Sequence, residues 1–205
     1  MATVVLVRHG ETAWNRDRRV QGWAPTPLTD RGRQQARALA AAIDRRYSVD
    51  RLVSSDLRRA LETAREIARA TGCTPEPDPA WRERDFGVMQ GLSYEALFGE
   101  HPEFTLSELG YRAAETRPEG GERLLDHRDR VLEGWNRLRT DLSPDETAVV
   151  VTHGGSLYVL LGHLDGRDLL AAILDSEQGN CAINEIEIDA NTGETTVVRE
   201  NDVDY

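Results

Sequence analysis

Two histidine–glycine pairs close two short apolar runs in this chain, Val7-Arg8-His9-Gly10 and Val151-Thr152-His153-Gly154. Open α/β sheets hold their ligands beyond the carboxyl ends of the strands, so two parallel neighbours ending this way bring both imidazoles to one crevice. One histidine in such a place is more often structural than chemical, but two in the same setting point to chemistry. Zinc is one reading, because imidazole is a common ligand. Yet the chain has no HxH or HExxH spacing, and Arg8 beside His9 opposes a cation. Covalent phosphoryl transfer fits better, since an imidazole can attack phosphorus and carry the phosphoryl group as a phosphohistidine. Arginine suits the remaining work: its planar guanidinium grips phosphate oxygens through two parallel hydrogen bonds and stays charged. Gly10 and Gly154 leave room for the main chain to approach an oxyanion.

All 25 basic residues are arginine, against 36 acids, for a net charge of −11. That balance argues against nonspecific binding to nucleic acid or membranes. It is also uneven. Residues 1–60 hold 12 arginines and 6 acids, whereas residues 61–205 hold 13 arginines and 30 acids, so the basic opening marks where an anion would bind. An acidic, lysine-free surface resembles that of proteins from molar-salt cytoplasm, where charges are screened within about 3 Å. A GC-rich genome replacing Lys with Arg explains the same composition. The first reading predicts that folding and activity need molar KCl.

The elements that must position these residues are readable from periodicity. Apolar runs at Thr3–Val7 and Thr147–Val151 read as buried strands, with a shorter one at Arg51–Ser54. The alternation from Cys181 to Ile188 reads as a strand paired with Thr195–Arg199 through a turn near Asn191–Gly193. Ala36, Leu39, Ala40 and Ile43 follow helical spacing after a cap at Thr29 or Asp30. Leu57 to Ala68 repeats the pattern, with Ser54 and Ser55 as expected caps and Gly72 as the stop. A third helix carries Leu124, Val131, Leu132, Trp135, Leu138 and Leu142. Strands alternating with such helices imply βα units around a mostly parallel sheet. Pro75 to Pro79 breaks the pattern and opens an irregular region, about 75–120, expected to lie over the sheet edge or the site.

A chain of 205 residues, 39% hydrophobic and 30% charged, has enough apolar residues for a core, which excludes a disordered or fibrous protein. Its length, without a dividing linker, fits one domain over 1–205. No run approaches the ~20 apolar residues of a membrane span. Val4–Val7 lacks a basic segment before it and does not read as a signal peptide, so a cytoplasmic protein is expected. Cys73 and Cys181 read as unpaired thiols in a reducing compartment.

Leu6-Val7-Arg8-His9-Gly10-Glu11-Thr12 resembles the signature of the histidine phosphatase superfamily, the phosphoglycerate mutase-like family. The likeness continues in order through Asn15, Gln21-Gly22-Trp23, Pro27-Leu28-Thr29 and Gly32. Ser54-Ser55-Asp56-Leu57, Arg59-Ala60 and Thr63-Ala64 follow, then Arg82-Glu83, Phe86-Gly87 and Gly91, then Gly120-Gly121-Glu122 and Thr152-His153-Gly154-Gly155. An arginine–histidine–glycine triplet alone is weak; this ordered series is specific. The resemblance implies a three-layer α/β/α sandwich with His9 as the nucleophile that becomes phosphorylated. Arg8, Arg59 and His153 would bind the phosphoryl oxygens and stabilise transition-state charge. Glu83 would protonate the leaving oxygen and then activate water. Asn15, Gln21 and Gly22 would line the phosphate pocket, with the backbone of Gly154 nearby. The motif sets its arginine directly before Ala60, which selects Arg59 over Arg58. Pro25 stands where members often carry an acid, which reads as a change in loop structure rather than in chemistry, and Gln90 stands before Gly91 where they commonly carry glutamate; neither belongs to the implied catalytic set. No metal or organic cofactor is implied, so turnover is expected to persist in EDTA, and its loss there would count against the reading.

Other candidates have plainer readings. Arg16, Arg18 and Arg19 form either an electropositive rim or a solvated loop around Asp17. His101, His127 and His163 read as surface or core histidines, and Trp14 and Trp23 as packing ahead of substrate stacking. Glu11 receives no acid–base role. Arg112 and Arg117 are candidates for a substrate carboxylate or second phosphate. Phosphoglycerate mutases of the resembled family usually carry a longer insertion than the 70 positions from Glu83 to His153. The expected activity is therefore hydrolysis of a small phosphorylated metabolite, with a cofactor-dependent phosphoglycerate mutase as the alternative and an inactive phospho-ligand-binding module as a third reading.

Overall fold

A computed structural model describes all residues, Met1–Tyr205. Its strands are β1 (Ala2–Arg8), β2 (Arg51–Ser54), β3 (Pro75–Pro77), β4 (Thr147–Thr152), β5 (Ile183–Ile188) and β6 (Thr195–Asp202). They form one sheet in the order β3-β2-β4-β1-β5-β6. The first four are parallel, β5 runs antiparallel to β1, and β6 runs antiparallel to β5 and so in the direction of the first four; the sheet is mixed with a mostly parallel core. The helices are α1 (Ala13–Arg16), α2 (Asp30–Arg46), α3 (Arg58–Thr71), α4 (Tyr94–Glu100), α5 (Leu106–Leu109), α6 (Tyr111–Glu115), α7 (Leu124–Asp141), α8 (Gly154–Leu164) and α9 (Leu169–Asp175).

Side chains alternate across a strand, so the central strands must be apolar on both faces to hold helices on both. Val5 and Val7 of β1, with Val149 and Val151 of β4, pack against Ala36, Leu39 and Ile43 of α2 and Ala60, Ala64 and Ile67 of α3. Val4, Leu6, Ala148 and Val150 face the other way, onto Val131 and Trp135 of α7 and Leu157, Leu160 and Leu161 of α8. These two cores on opposite faces make the three-layer sandwich that the sequence predicts.

Thr29 caps α2 by accepting from the Gly32 amide at 2.9 Å, and Gly72 ends α3 in the left-handed conformation, φ 77°, where a side chain is disfavoured. The expected caps of α3 are different: Leu57 occupies that position without a side-chain bond. Ser54 donates to the Ser55 carbonyl, and the Ser55 hydroxyl is held by His153. Pro75–Pro77, expected to be irregular, pairs with β2 on the sheet edge. Proline lacks an amide donor and is tolerated there because only one side of the strand is paired. Residues 79–120 are also more ordered than expected, folding into α4, α5, α6 and three single-turn helices at 79–81, 87–89 and 102–104. This segment carries its own small core of Met89, Leu97 and Phe104 around Val20.

The register decides where chemistry can occur. Arg8 pairs with Thr152, so the next residues, His9 and His153, leave the sheet side by side. Ser54 pairs with Val151, which brings Ser55 to the same edge. No helix is long and apolar enough to cross a membrane.

Candidate active site

The two imidazoles meet beyond the strand ends, with ring centroids 5.1 Å apart and tilted by 57°. His9 is only 2% exposed. Its Nδ1 lies 2.7 Å from the Gly10 carbonyl. A carbonyl can only accept, so Nδ1 carries the proton and Nε2 keeps a bare lone pair. Arg59 Nε donates to that lone pair at 3.1 Å. Burial, then the nearby Arg59 and Arg8 cations, hold the His9 imidazole well below its ordinary range, so the ring is neutral.

Arg59 reaches His9 because the first turn of α3 points it inward, where it is 1% exposed. Its terminal nitrogens also donate to the carbonyls of Gly22 at 2.8 Å and Ala24 at 3.2 Å. Gly22 is required there: at φ 48° a side chain is strained, and a Cβ would press on Phe86 N and Gln90. Arg58, its neighbour, pairs with Glu62 on the surface at 2.7 Å, as expected. Arg8 lies alongside Gly154 and donates one terminal nitrogen to the Gln178 carbonyl. Its Nε is buried without a partner, and so is Nδ1 of His153, whose Nε2 meets Ser55 Oγ at 2.8 Å. Two unsatisfied polar atoms beside buried guanidinium groups are costly unless a ligand completes them, and their surroundings favour an anion.

Glu83 is tied to the first turn of α8, two residues after His153, held by the amides of Gly155 at 3.0 Å and Arg84 at 2.9 Å. A Cβ on Gly155 would run into that carboxylate. Asn15 accepts from Thr12 at 3.1 Å and Gln21 accepts from Thr12 and Thr26 at 2.8 Å, which ties the loop before α2 to the strand end. The structure thus brings Arg8, His9, Arg59 and His153 together, with Gly22 and Gly154 touching the two arginines.

Sequence reasoning missed several supports. Ser55 holds His153, and Asn180 bridges the His9 carbonyl at 3.0 Å and Asn15 at 3.4 Å. Trp23 donates to the Glu83 carbonyl at 2.7 Å, and Arg82 lies 4.2 Å over its ring, so Trp23 packs the Glu83 segment. Gln90 accepts from the Trp23 amide. His127 is fully buried, 3.1 Å from Ser156 Oγ and 3.9 Å from Glu83, so of the three histidines read as incidental it is the one at the site. Arg16 and Arg19 are engaged locally, with Asp17 at 3.0 Å and the Gly91 carbonyl at 2.7 Å. Arg117 is paired with Asp126 at 2.6 Å.

Three buried neutral histidines carry a stability consequence. Burial is the largest cause at His9, His127 and His153, followed by Arg59 and Arg8, by Arg130 and Arg84, and by Arg59 respectively. The unfolded chain binds a proton on each imidazole near pH 6.5, whereas the folded protein does not. The unfolded state therefore carries more protons, and stability falls as pH drops below 6.5. Together the three remove at most about 3 kcal/mol between pH 6.5 and 5.5, which corresponds to at most about 6–12 °C of Tm. Calorimetry across that window checks this; a flat Tm would mean that the folded protein protonates these rings.

Residues 4–202 match the histidine phosphatase superfamily (branch 1). Phosphoglycerate mutase-like protein 4 of Arabidopsis thaliana is 41% identical, over 77% of this chain and 70% of its own. Among solved structures, YhfR of Bacillus stearothermophilus superposes with a TM-score of 0.87 at 30% identity, covering 98% of both chains. The alpha-ribazole phosphatase of Shigella flexneri gives 0.84 at 28% identity, over 98% of this chain and 96% of its own. The chain belongs to the histidine phosphatase superfamily, whose phosphoglycerate mutase-like fold it shares.

Proposed function

We propose that this chain hydrolyses a small phosphomonoester through a phosphohistidine on His9. The observation that carries the reading is the unprotonated Nε2 of a neutral imidazole, capped by an Arg59 N–H and set beside two buried polar atoms without partners, Arg8 Nε and His153 Nδ1. An incoming phosphate takes over the Arg59 N–H that now caps Nε2 and so frees the lone pair. The Nε2–phosphorus bond forms in line as the bond to the leaving oxygen breaks, and Glu83 gives that oxygen its proton. Arg8, Arg59 and His153 hold the equatorial oxygens, where charge is spread during transfer. Asn15, Gln21, Gly22 and the Gly154 backbone fix the walls of the phosphate pocket. Water then attacks phosphorus from the vacated side, losing its proton to Glu83, and the phosphorus–nitrogen bond breaks to restore neutral His9. The reading treats 1–205 as one catalytic domain, because these residues come from both ends of the chain.

The alternative is a mutase, because the Arabidopsis relative is named a phosphoglycerate mutase-like protein. Phosphorus NMR with 3-phosphoglycerate, in dilute buffer and in concentrated KCl, separates the two. Inorganic phosphate is expected to accumulate. Growth of 2-phosphoglycerate without free phosphate would replace the hydrolase by the mutase, and binding of esters without turnover of any would favour a phospho-ligand-binding module.

A further inference from the structure

Beside Glu83 the protein encloses a second space that the phosphate chemistry does not use. It is a cavity of about 220 Å³ whose wall is mostly apolar: Phe86, Tyr94, Leu97, Phe98, Phe104 and Ile173 are among the side chains that line it. Glu83 and Gly155 border it, so it opens at the carboxylate to which the leaving oxygen must point. Its one arginine, Arg84, is 6% exposed and already bonded through Nε to the Glu122 carbonyl and through a terminal nitrogen to the Thr116 carbonyl. The Arg84 guanidinium also lies 4.9 Å from the Phe86 ring. The Glu122 carboxylate nearby offsets its charge. The other two cations weighed for a substrate carboxylate are absent from this wall: Arg117 is tied to Asp126, and Arg112 lies outside the cavity.

We propose that this cavity receives the organic part of the substrate, and that the preferred substrate is a phosphomonoester of an uncharged, apolar alcohol carrying a ring of about six atoms. The inference rests on the hydrolase reading and names its substrate class. A dry cavity of about 150 Å³ lined by aliphatic and aromatic side chains accommodates benzene, so the present volume takes one ring with its linking carbon. A phosphoglycerate would place its carboxylate among mostly apolar and aromatic side chains with no unoccupied guanidinium to receive it, so the cost of its desolvation is poorly offset. Tyr94 and Tyr158 also line the cavity, and the Tyr158 hydroxyl lies beside Gly154 at its phosphate end. They therefore sit where an amphipathic substrate changes from phosphate to ring.

The test is kcat/KM for benzyl phosphate, ethyl phosphate and 3-phosphoglycerate. The alcohols of the first two are similarly poor leaving groups, so their ratio reports burial of the ring. Benzyl phosphate is expected to exceed ethyl phosphate by about 10- to 100-fold, and to exceed 3-phosphoglycerate as well. Hydrolysis of all three at similar rates, or preference for 3-phosphoglycerate, overturns the inference while leaving the hydrolase standing. Phe98→Arg gives the converse test, because Phe98 is 44% exposed and its replacement need not disturb the core. The benzyl advantage is expected to fall below about threefold with a gain on 3-phosphoglycerate; an unchanged ratio overturns the assignment of the cavity. Should no ester turn over at all, the hydrolase reading fails. Calorimetry with benzylphosphonate and ethylphosphonate then decides the cavity separately: tighter binding of the benzyl compound by tenfold or more supports it, and equal binding overturns it.

Discussion

His9→Ala is expected to lower kcat by about 10⁵-fold or more, because the attacking atom itself is removed. The variant should still bind phosphate. Arg8 Nε and His153 Nδ1 remain, and Arg59 keeps its anchors on the carbonyls of Gly22 and Ala24. Binding without turnover is therefore the predicted signature, rather than general loss of the protein. Wild-type enzyme quenched in alkali during turnover should carry a base-stable, acid-labile phosphoryl group that is absent from the variant. A second consequence is thermodynamic. Removing one buried neutral imidazole removes one of the protons that the unfolded chain gains in acid, so the fall of Tm below pH 6.5 should become shallower. Retention of more than about a hundredth of wild-type kcat would mean that His9 is not the nucleophile.

The parts of this site that could be read from the sequence are those in which a local pattern coincides with a strand end. Val4–Val7 and Ala148–Val151 announce buried central strands by apolar content alone, and their parallel register then places His9 beside His153. Residues that depend on packing between distant elements could not be read this way. Ser55 looked like a helix cap because serine before a helical pattern usually is one, yet its hydroxyl meets His153 nearly a hundred positions away. Helix α8 carries no periodic signal in the sequence for a different reason: Leu157, Val159, Leu160 and Leu161 are buried around most of its circumference, so there is no polar face to reveal a 3.6-residue period. His127 has no local signal at all. Its place at Glu83 follows from how α7 and α8 pack over Ser156 and Arg82, contacts that only the folded chain creates. The segment at 75–120 read as irregular because its helices are single turns or little longer, too short for periodicity to build up.

Glu83→Gln should divide substrates by their leaving groups. The side chain has two tasks in the proposed cycle, donating a proton to the departing oxygen and later accepting one from water. An alkyl ester needs the first, because an alkoxide leaves poorly, so kcat on benzyl phosphate is expected to fall by about 10²- to 10⁴-fold. An aryl ester with a stable phenolate, such as p-nitrophenyl phosphate, scarcely needs it. His9 should still be phosphorylated rapidly by that ester, but the phosphoenzyme then waits for a water that no base activates. Nitrophenolate should accordingly appear as a burst of one equivalent per active site, followed by a slow phase, while acid-labile phosphate accumulates on the protein. The burst also answers a structural objection. Glu83 accepts from both the Gly155 and Arg84 amides, and an amide side chain can satisfy only one of them, so some loss of local order is expected. A distorted site would lose both esters together and give no burst. Fast phosphorylation with blocked release arises only if His9, Arg8, Arg59 and His153 remain in place and the missing group acts on the leaving oxygen and the water. Equal losses on both esters in a variant that melts like the wild type would remove Glu83 from the acid–base role.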